Sequence, residues 1–356
     1  MKKVLVIYHR EDNDGACSAG IIGAFLKHFP LIGGSVIPPN EIEFYGVNYA
    51  DLSRDWEAFT DWTEHEAGSR TPKMAKWHKY EHIFMVDISF NSPEAMLHMK
   101  QQFQDRFTWC DHHAPIIRAS ETEGFSDVPG LRTTVQSALI NTWEWLSGQV
   151  EAHGGIVPLP SKWLRELSDY DSWAWSTKPE YETPEAQEQL FSLNTGITRR
   201  SDLDPKWFME WTSHILDGHL PVHERIAEES RSFGNVVYRL DIERVARAIS
   251  SNGDTKWVVA LAGGEERRAC ALVTTDRINS RSFAGFKGTD IVHGIDFNYH
   301  ANTDSVTMSL YNVNDDDDFD CGAFLKARYQ GGGHKGAAGC TLTREQFAKI
   351  FMDRKI

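Results

Sequence analysis

Along the first half of the chain, short apolar runs alternate with stretches of helical spacing. Val4–Ile7 is a compact apolar run between Lys2-Lys3 and Tyr8-His9-Arg10, and it reads as a buried first strand. Small and apolar residues then recur at helical spacing over Gly15–Phe29, until Pro30 stops them. Glu43–Val47 predicts a second strand, and His82–Asp87 a third that ends in an acid. Phe107–Cys110 predicts a fourth, running directly into Asp111-His112-His113. Ser92–Phe103 reads as a helix opened by Ser92-Pro93-Glu94, and Thr134–Leu146 and Pro160–Leu167 read as two more. This βαβα order predicts an α/β fold, a mostly parallel sheet with helices on both faces. In such sheets functional groups gather at the carboxyl ends of the strands.

From about Asp202 to Phe233 the spacing turns helical, with a strongly polar His223–Ser232, which predicts a helical linker. Beyond it, Asn235–Leu240, Trp257–Leu261, Ile291–Asn298 and Val306–Asn312 read as strands, with Ala271–Arg281 and Gly322–Tyr329 as helices. The expected division is a first domain over 1–200, a linker over 201–235 and a smaller α+β domain over 236–356. Asp315–Asp318 reads as a solvated loop.

Composition narrows the class. At 356 residues, 41% hydrophobic and 25% charged, the chain has the make-up of a globular protein with room for two cores. Its 51 acids outnumber 37 Lys+Arg, for a net charge of −14. That balance argues against stable binding of duplex nucleic acid, which rests on basic side chains replacing counterions. A small phosphate-bearing substrate stays open, because bound cations can supply positive charge locally. The five cysteines are scattered without a CxxC pair, as expected for a reducing compartment. The N-terminal apolar run is too short for a cleavable leader and no stretch is long enough to span a bilayer, so a cytoplasmic protein without membrane partners is expected.

Four segments concentrate acids and imidazoles: His9 to Gly15, Asp87, Asp111-His112-His113, and Ser168-Asp169-Tyr170-Asp171. Each alone has a plain structural explanation, as an N-cap, a turn or a surface pair. Four together in one α/β half point to chemistry. Carboxylate oxygens with imidazole nitrogens suit Mn²⁺, Fe or Mg²⁺ better than a cysteine-rich zinc site, and their number suits two ions. Without cations such a gathering is costly, because adjacent like charges cannot all stay ionised.

The segment His9-Arg10-Glu11-Asp12-Asn13-Asp14-Gly15, the lone Asp87 after an apolar strand, the literal Asp111-His112-His113 and the later Ser168-Asp169 resemble, in that order, the four motifs of the DHH phosphoesterase superfamily. Gly331-Gly332-Gly333-His334-Lys335-Gly336-Ala337-Ala338-Gly339 resembles the glycine motif of the DHH-associated domain. The resemblance implies a catalytic first domain and a substrate-binding second domain, with the active site in a cleft between them. It implies two ions, Mn²⁺ with Mg²⁺ or another divalent as alternatives, one held by His9, Asp12 and Asp87, the other by Asp14, Asp87, His112 and Asp169. His113 would act beside the scissile phosphate, oriented by Asp111. Gly331, Gly332, Gly333 and His334, with Arg328 nearby, would hold the substrate.

Three departures stand out. Arg10-Glu11 occupies positions that are often Asn-Pro in the family. The fourth motif offers Asp171 as an alternative to Asp169. Tyr311 stands where an Arg is usual, leaving Tyr311, Arg328 or Arg281 to hold a phosphate or base, and Trp173 and Trp175 are candidates for base stacking. The implied activity is hydrolysis of short single-stranded RNA or a related nucleotide, in the manner of an oligoribonuclease. Alternatives are a phosphatase of 3′-phosphoadenosine 5′-phosphate, a cyclic-dinucleotide phosphodiesterase, or a non-catalytic nucleotide-binding module. A homodimer is an open expectation.

Overall fold

A computed structural model describes residues 3–49, 51–52, 74–90, 92–252, 254–260, 265–274, 283, 286–300, 304–314, 318–329, 331–333 and 335–356. The chain divides into two compact units, Met1–Asn235 and Val236–Ile356.

The first unit is built on four parallel strands, β1 (Val4–His9), β2 (Ile42–Val47), β3 (His82–Val86) and β4 (Phe107–Cys110), in the order β2-β1-β3-β4. Side chains alternate across a strand, so β1 serves two cores at once. Val4, Val6 and Tyr8 join one, Leu5 and Ile7 the other. The first core is closed by α1 (Asn13–His28), α4 (Ala138–Ala152), α5 (Lys162–Asp171), α6 (Pro184–Ser201) and α7 (Pro205–Leu216). The second is closed by α2 (Pro93–Phe103) and α3 (Ala114–Glu123). Helices thus cover both faces of the sheet.

Helix α1 is buried from Asn13 to Leu26, and its small residues let neighbours come close. A Cβ on Gly20 would lie 2.4 Å from that of Phe208 on α7. Helix α8 (Leu220–Asn252) crosses α6 as tightly: a Cβ on Gly196 would lie 1.8 Å from the carbonyl oxygen of Ser230. Trp211 and His223 stack at 4.4 Å and exchange hydrogen bonds with each other's backbone carbonyls.

Helix α8 overturns one expectation. Asn235–Leu240 is helical, although its apolar run has the look of a strand. Val236 and Leu240, four apart on one helix face, are exposed while Tyr238 is buried, which is helical phase.

The second unit is α+β. Strands β5 (Asp254–Ala260), β6 (Glu266–Thr274), β7 (His293–His300), β8 (Ser305–Asn312), β9 (Gly332–Gly333) and β10 (Ala337–Thr343) form one sheet in the order β5-β6-β7-β8-β10-β9. Helices α9 (Cys321–Tyr329) and α10 (Arg344–Asp353) pack on it through Leu325 and Ile350. Ala271–Thr274 belongs to β6 rather than to a helix: Ala269 and Ala271 join one core while Cys270 and Leu272, on the opposite face, join another, and residues 275–281 lie outside the described residues. Of the acidic run expected to form a loop, residues 315–317 lie outside the described residues. Among the described residues, no helix is long and apolar enough to cross a membrane.

Candidate metal centre

All four parallel strands deliver side chains to one place from their carboxyl ends. β1 ends on His9, and the chain turns at once into α1. Asp12 caps that helix, accepting from the Gly15 amide at 3.0 Å through Oδ1, while its Oδ2 lies 2.8 Å from His9 Nδ1. Gly15 is required by proximity, since a Cβ there would fall 2.0 Å from the His9 carbonyl oxygen. Asp14, in the first turn of α1, is fully buried against the start of α4. It accepts from Ser137 Oγ at 2.7 Å and from the amides of Ala138 and Leu139 at 2.8 Å each. A helix N-terminus suits a carboxylate there.

Asp87 follows β3 with φ +54, a left-handed conformation that Asp tolerates better than most side chains. Its Oδ2 lies 3.6 Å from His9 Nδ1 and its Oδ1 3.3 Å from His112 Nε2. After β4, Asp111 is buried and accepts through Oδ1 from the amides of His112 and His113 and from His113 Nδ1, the last at 2.7 Å. Its Oδ2 accepts from Trp109 Nε1 at 3.1 Å. Asp111 thereby holds the backbone of both histidines and the ring of His113.

The fourth motif contributes a different residue from the one preferred on sequence. Asp171 Oδ2 lies 3.2 Å from His112 Nε2, whereas Asp169 turns away to Lys178 Nζ at 2.6 Å and the Tyr181 hydroxyl at 3.0 Å. Two residues apart on a helix lie about 200° apart around its axis, so only one can face the cluster. The buried stripe Trp163-Leu164-Leu167 sets that phase.

Three groups of possible ligands result: His9, Asp12 and Asp87; Asp87, His112 and His113; and Asp14, His112 and Asp171. Within each, ligand atoms lie within 4.8 Å of one another, with Asp87 and His112 each shared by two groups. Burial, with the charges of Asp87 and Asp171, pushes the Asp14 carboxyl well above its usual range. Burial, together with Asp12 and Asp87, lifts Asp171 to about 7 despite His112. Asp87 goes the other way: burial would raise it, but hydrogen bonds from His112 and His9 hold it well below the usual range. Burial likewise opposes charge on His9 and His112, and the carboxylates around them override it and raise both. Protons on these histidines thus partly neutralise the acids. Even so, the buried Asp87 Oδ1 and Asp171 Oδ2 share a single donor, His112 Nε2, at 3.3 and 3.2 Å, and one N–H cannot satisfy both. Buried carboxylate oxygens left over in this way, beside imidazoles, fit a hard or borderline divalent cation.

Tyr49, just beyond β2, also belongs here, though its residue type gave no sign of it. Its ring centroid lies 5.8 Å from that of His9 and 6.1 Å from that of His113. Burial and the carboxylates of Asp111, Asp87, Asp12 and Asp171 push its phenol well above the ordinary range. The rule that parallel strands present function at their carboxyl ends was the available signal.

In the second unit the glycine motif contributes a short edge strand. Gly332 and Gly333 pair with Gly339 and Ala338, and a Cβ on Gly333, at φ +140, would lie 2.6 Å from the Ala338 Cα. Arg328, exposed on α9, sits over the Phe324 ring at 4.7 Å. Tyr311 packs against Phe283 at 5.7 Å. His334 and Arg281 lie outside the described residues. Trp173 takes a left-handed φ of +59 two residues after Asp171, with its ring 5.4 Å from that of the buried Trp175.

No family model matches the chain, and no curated protein matches it significantly. Solved structures do. The DHH domain of a member of a ribosomal-protein family aligns at 12% identity with a TM-score of 0.51, over 99% of this chain and 85% of that one. A pGpG-specific phosphodiesterase from Vibrio cholerae aligns at 13% identity and TM-score 0.43, over 99% and 97%. The exonuclease RecJ bound to manganese aligns at 12% identity and TM-score 0.46, over 99% and 89%. The chain has the fold of the DHH-domain proteins, whose four motifs its own segments resemble.

Proposed function

We propose that this chain is a divalent-metal-dependent phosphodiesterase that cleaves very short oligoribonucleotides or related nucleotides at the cluster just described. The observation that carries the reading is the set of carboxylates gathered around His9 and His112, two of whose buried oxygens share the single donor His112 Nε2. His9, Asp12 and Asp87 would hold one ion, and Asp14, Asp87, His112 and Asp171 the other. The donor set favours Mn²⁺. Cations bound there would supply Lewis acidity, activating a water and offsetting phosphate charge.

The remaining roles belong to the chain. A carboxylate can only accept, so His113 Nδ1 carries the hydrogen directed at Asp111 Oδ1. That leaves Nε2 as the atom to exchange a proton with a substrate oxygen. Gly331, Gly332, Gly333, Arg328 and His334 are assigned to nucleotide binding. The net charge of −14 favours a short substrate, since the chain lacks the basic excess that holds long strands.

The test is a substrate panel with Mn²⁺ and with EDTA: linear dinucleotides, short RNA oligomers, long single-stranded DNA, 3′-phosphoadenosine 5′-phosphate and cyclic dinucleotides, compared by kcat/KM. The highest value for dinucleotides or short RNA, lost on chelation, is expected. Preference for the phosphomonoester or a cyclic dinucleotide would move the substrate within the same chemistry. Tight binding without turnover of any member would make the protein a nucleotide-binding module.

A further inference from the structure

Arg10 and Glu11 stand beside the cluster, and none of the roles above uses them. Arg10 Nε lies 3.2 Å from Glu11 Oε1, and its terminal nitrogen lies 3.2 Å from Asp51 Oδ2. The Arg10 amide also donates to the Val47 carbonyl at 3.1 Å. The segment after β1 is therefore tied both to the end of β2 and to the turn that follows it. Asp51 in turn closes a local turn: its amide donates to Asn48 Oδ1 at 3.0 Å, and its Oδ2 accepts from the Asn48 amide at 3.2 Å.

Tyr49 sits inside that turn. Its ring meets His113 edge to face, at 90°, and His9 at 49°. These histidines reach the cluster from the ends of β1 and β4, which are not neighbours in the sheet. An imidazole's second torsion has broad wells, so nearby atoms must set the ring plane. Asp12 and Asp111 each fix one nitrogen, at 2.8 and 2.7 Å. A third ring against both imidazoles limits the rotation that a single hydrogen bond allows.

We propose that Tyr49, held in place by the Arg10–Asp51 ion pair, is a positioning residue that sets the ring planes of His9 and His113 by packing against them. The inference rests on the roles proposed above for those two histidines. It gives the charged pair at Arg10-Glu11 a purpose: Arg10 secures the turn that carries Tyr49, and Glu11 holds the guanidinium at Nε.

The test uses the full chain and four variants, Tyr49→Leu, Tyr49→Phe, Arg10→Ala and the double variant Tyr49→Leu/Arg10→Ala. Each is measured for Mn²⁺ affinity by the paramagnetic resonance of free Mn²⁺, for kcat and KM on bis-p-nitrophenyl phosphate, and for melting temperature. Groups that orient metal ligands typically change affinity or activity by about 10–100-fold. Tyr49→Leu is expected to lose kcat in that range with KM within about threefold, and to weaken Mn²⁺ binding through His9. Tyr49→Phe, which keeps the ring, should rescue both. Arg10→Ala should lose about two- to fivefold, and nothing further in the Tyr49→Leu background.

Equal losses in Tyr49→Phe and Tyr49→Leu would overturn ring packing in favour of the hydroxyl. No loss in Tyr49→Leu would overturn the proposal outright. Should that variant melt below the assay temperature, Arg10→Ala decides: unchanged Mn²⁺ affinity and kcat would reject it. If the parent chain hydrolyses nothing, the proposed function fails while Mn²⁺ affinity still reports on Tyr49.

Discussion

Replacing Asp171 by Asn should make the metal-free protein more stable while weakening its hold on metal. The Asp171 carboxyl stands at about 7 in the fold, raised first by burial and then by Asp12 and Asp87, against an ordinary value of 3.8. The sign follows from linkage. An acid raised in the folded state costs nothing below about pH 4, costs more with each pH step above that, and reaches its full cost once pH passes about 7. A gap of about 3 pH units at 1.36 kcal/mol each is about 4 kcal/mol. Asn removes the charge but still buries a polar amide, so the expected net gain at pH 8 in EDTA is about 2–4 kcal/mol. For a unit of this size that is about 5–10 °C in melting temperature. Urea unfolding followed by tryptophan fluorescence reads the first unit, because eleven of the twelve tryptophans lie in Met1–Asn235. The advantage should shrink at pH 5, where the parent carboxyl is protonated. Saturating Mn²⁺ should stabilise the parent more than the variant. A variant less stable than the parent in EDTA at pH 8, or a gap that ignores pH, would refute the reasoning.

Asp169→Ala should leave Mn²⁺ affinity unchanged yet cost about 1–3 kcal/mol in urea unfolding, because the Tyr181 hydroxyl and Lys178 lose their acceptor; weakened Mn²⁺ binding would return Asp169 to the cluster. His113→Ala should keep its metal by elemental analysis and lose about 10²–10⁴-fold in kcat, and lost metal would exchange the roles of His112 and His113. Gly196→Ala should destabilise by about 1–3 kcal/mol despite alanine's better helix propensity, and a stability at or above the parent's would show that α6 and α8 can separate freely. Burial lowers His223 to about 4, so stability should fall by about 3 kcal/mol as pH drops from 6.5 to 4; an imidazole that titrates near 6.5 by NMR contradicts this.

The strand ends were the most legible part of the chain. An apolar run that stops on an acid or imidazole identifies both a buried strand and the edge where its chemistry emerges, and His9, Asp87 and Asp111-His112-His113 all lie at such stops. The choice between Asp169 and Asp171 was not legible, because it depends on the rotational phase of α5, set by which of its residues bury. Tyr49 was hidden for a different reason: a tyrosine beyond a strand carries no mark until the neighbouring strand ends are placed around it. In the second unit, β6 alternates Ala269 and Ala271 with arginine and cysteine, a pattern that small residues leave open to either period. The glycine run was legible as a motif, but its place at the sheet edge depends on β10 pairing back across Gly332 and Gly333.

The two-faced strand β1 makes the core and the cluster a single inheritance. Val4 and Val6 serve one core, Leu5 and Ile7 the other, and two positions beyond Ile7 comes His9. Adding or deleting one residue within β1 would send each of these side chains to the opposite layer and rotate His9 out of line with Asp87. Length changes before His9 are tolerable only in steps of two. Within β1, Val4 to Tyr8 can therefore exchange one apolar residue for another, while the number of positions that leads up to His9 is fixed by the two layers it must serve.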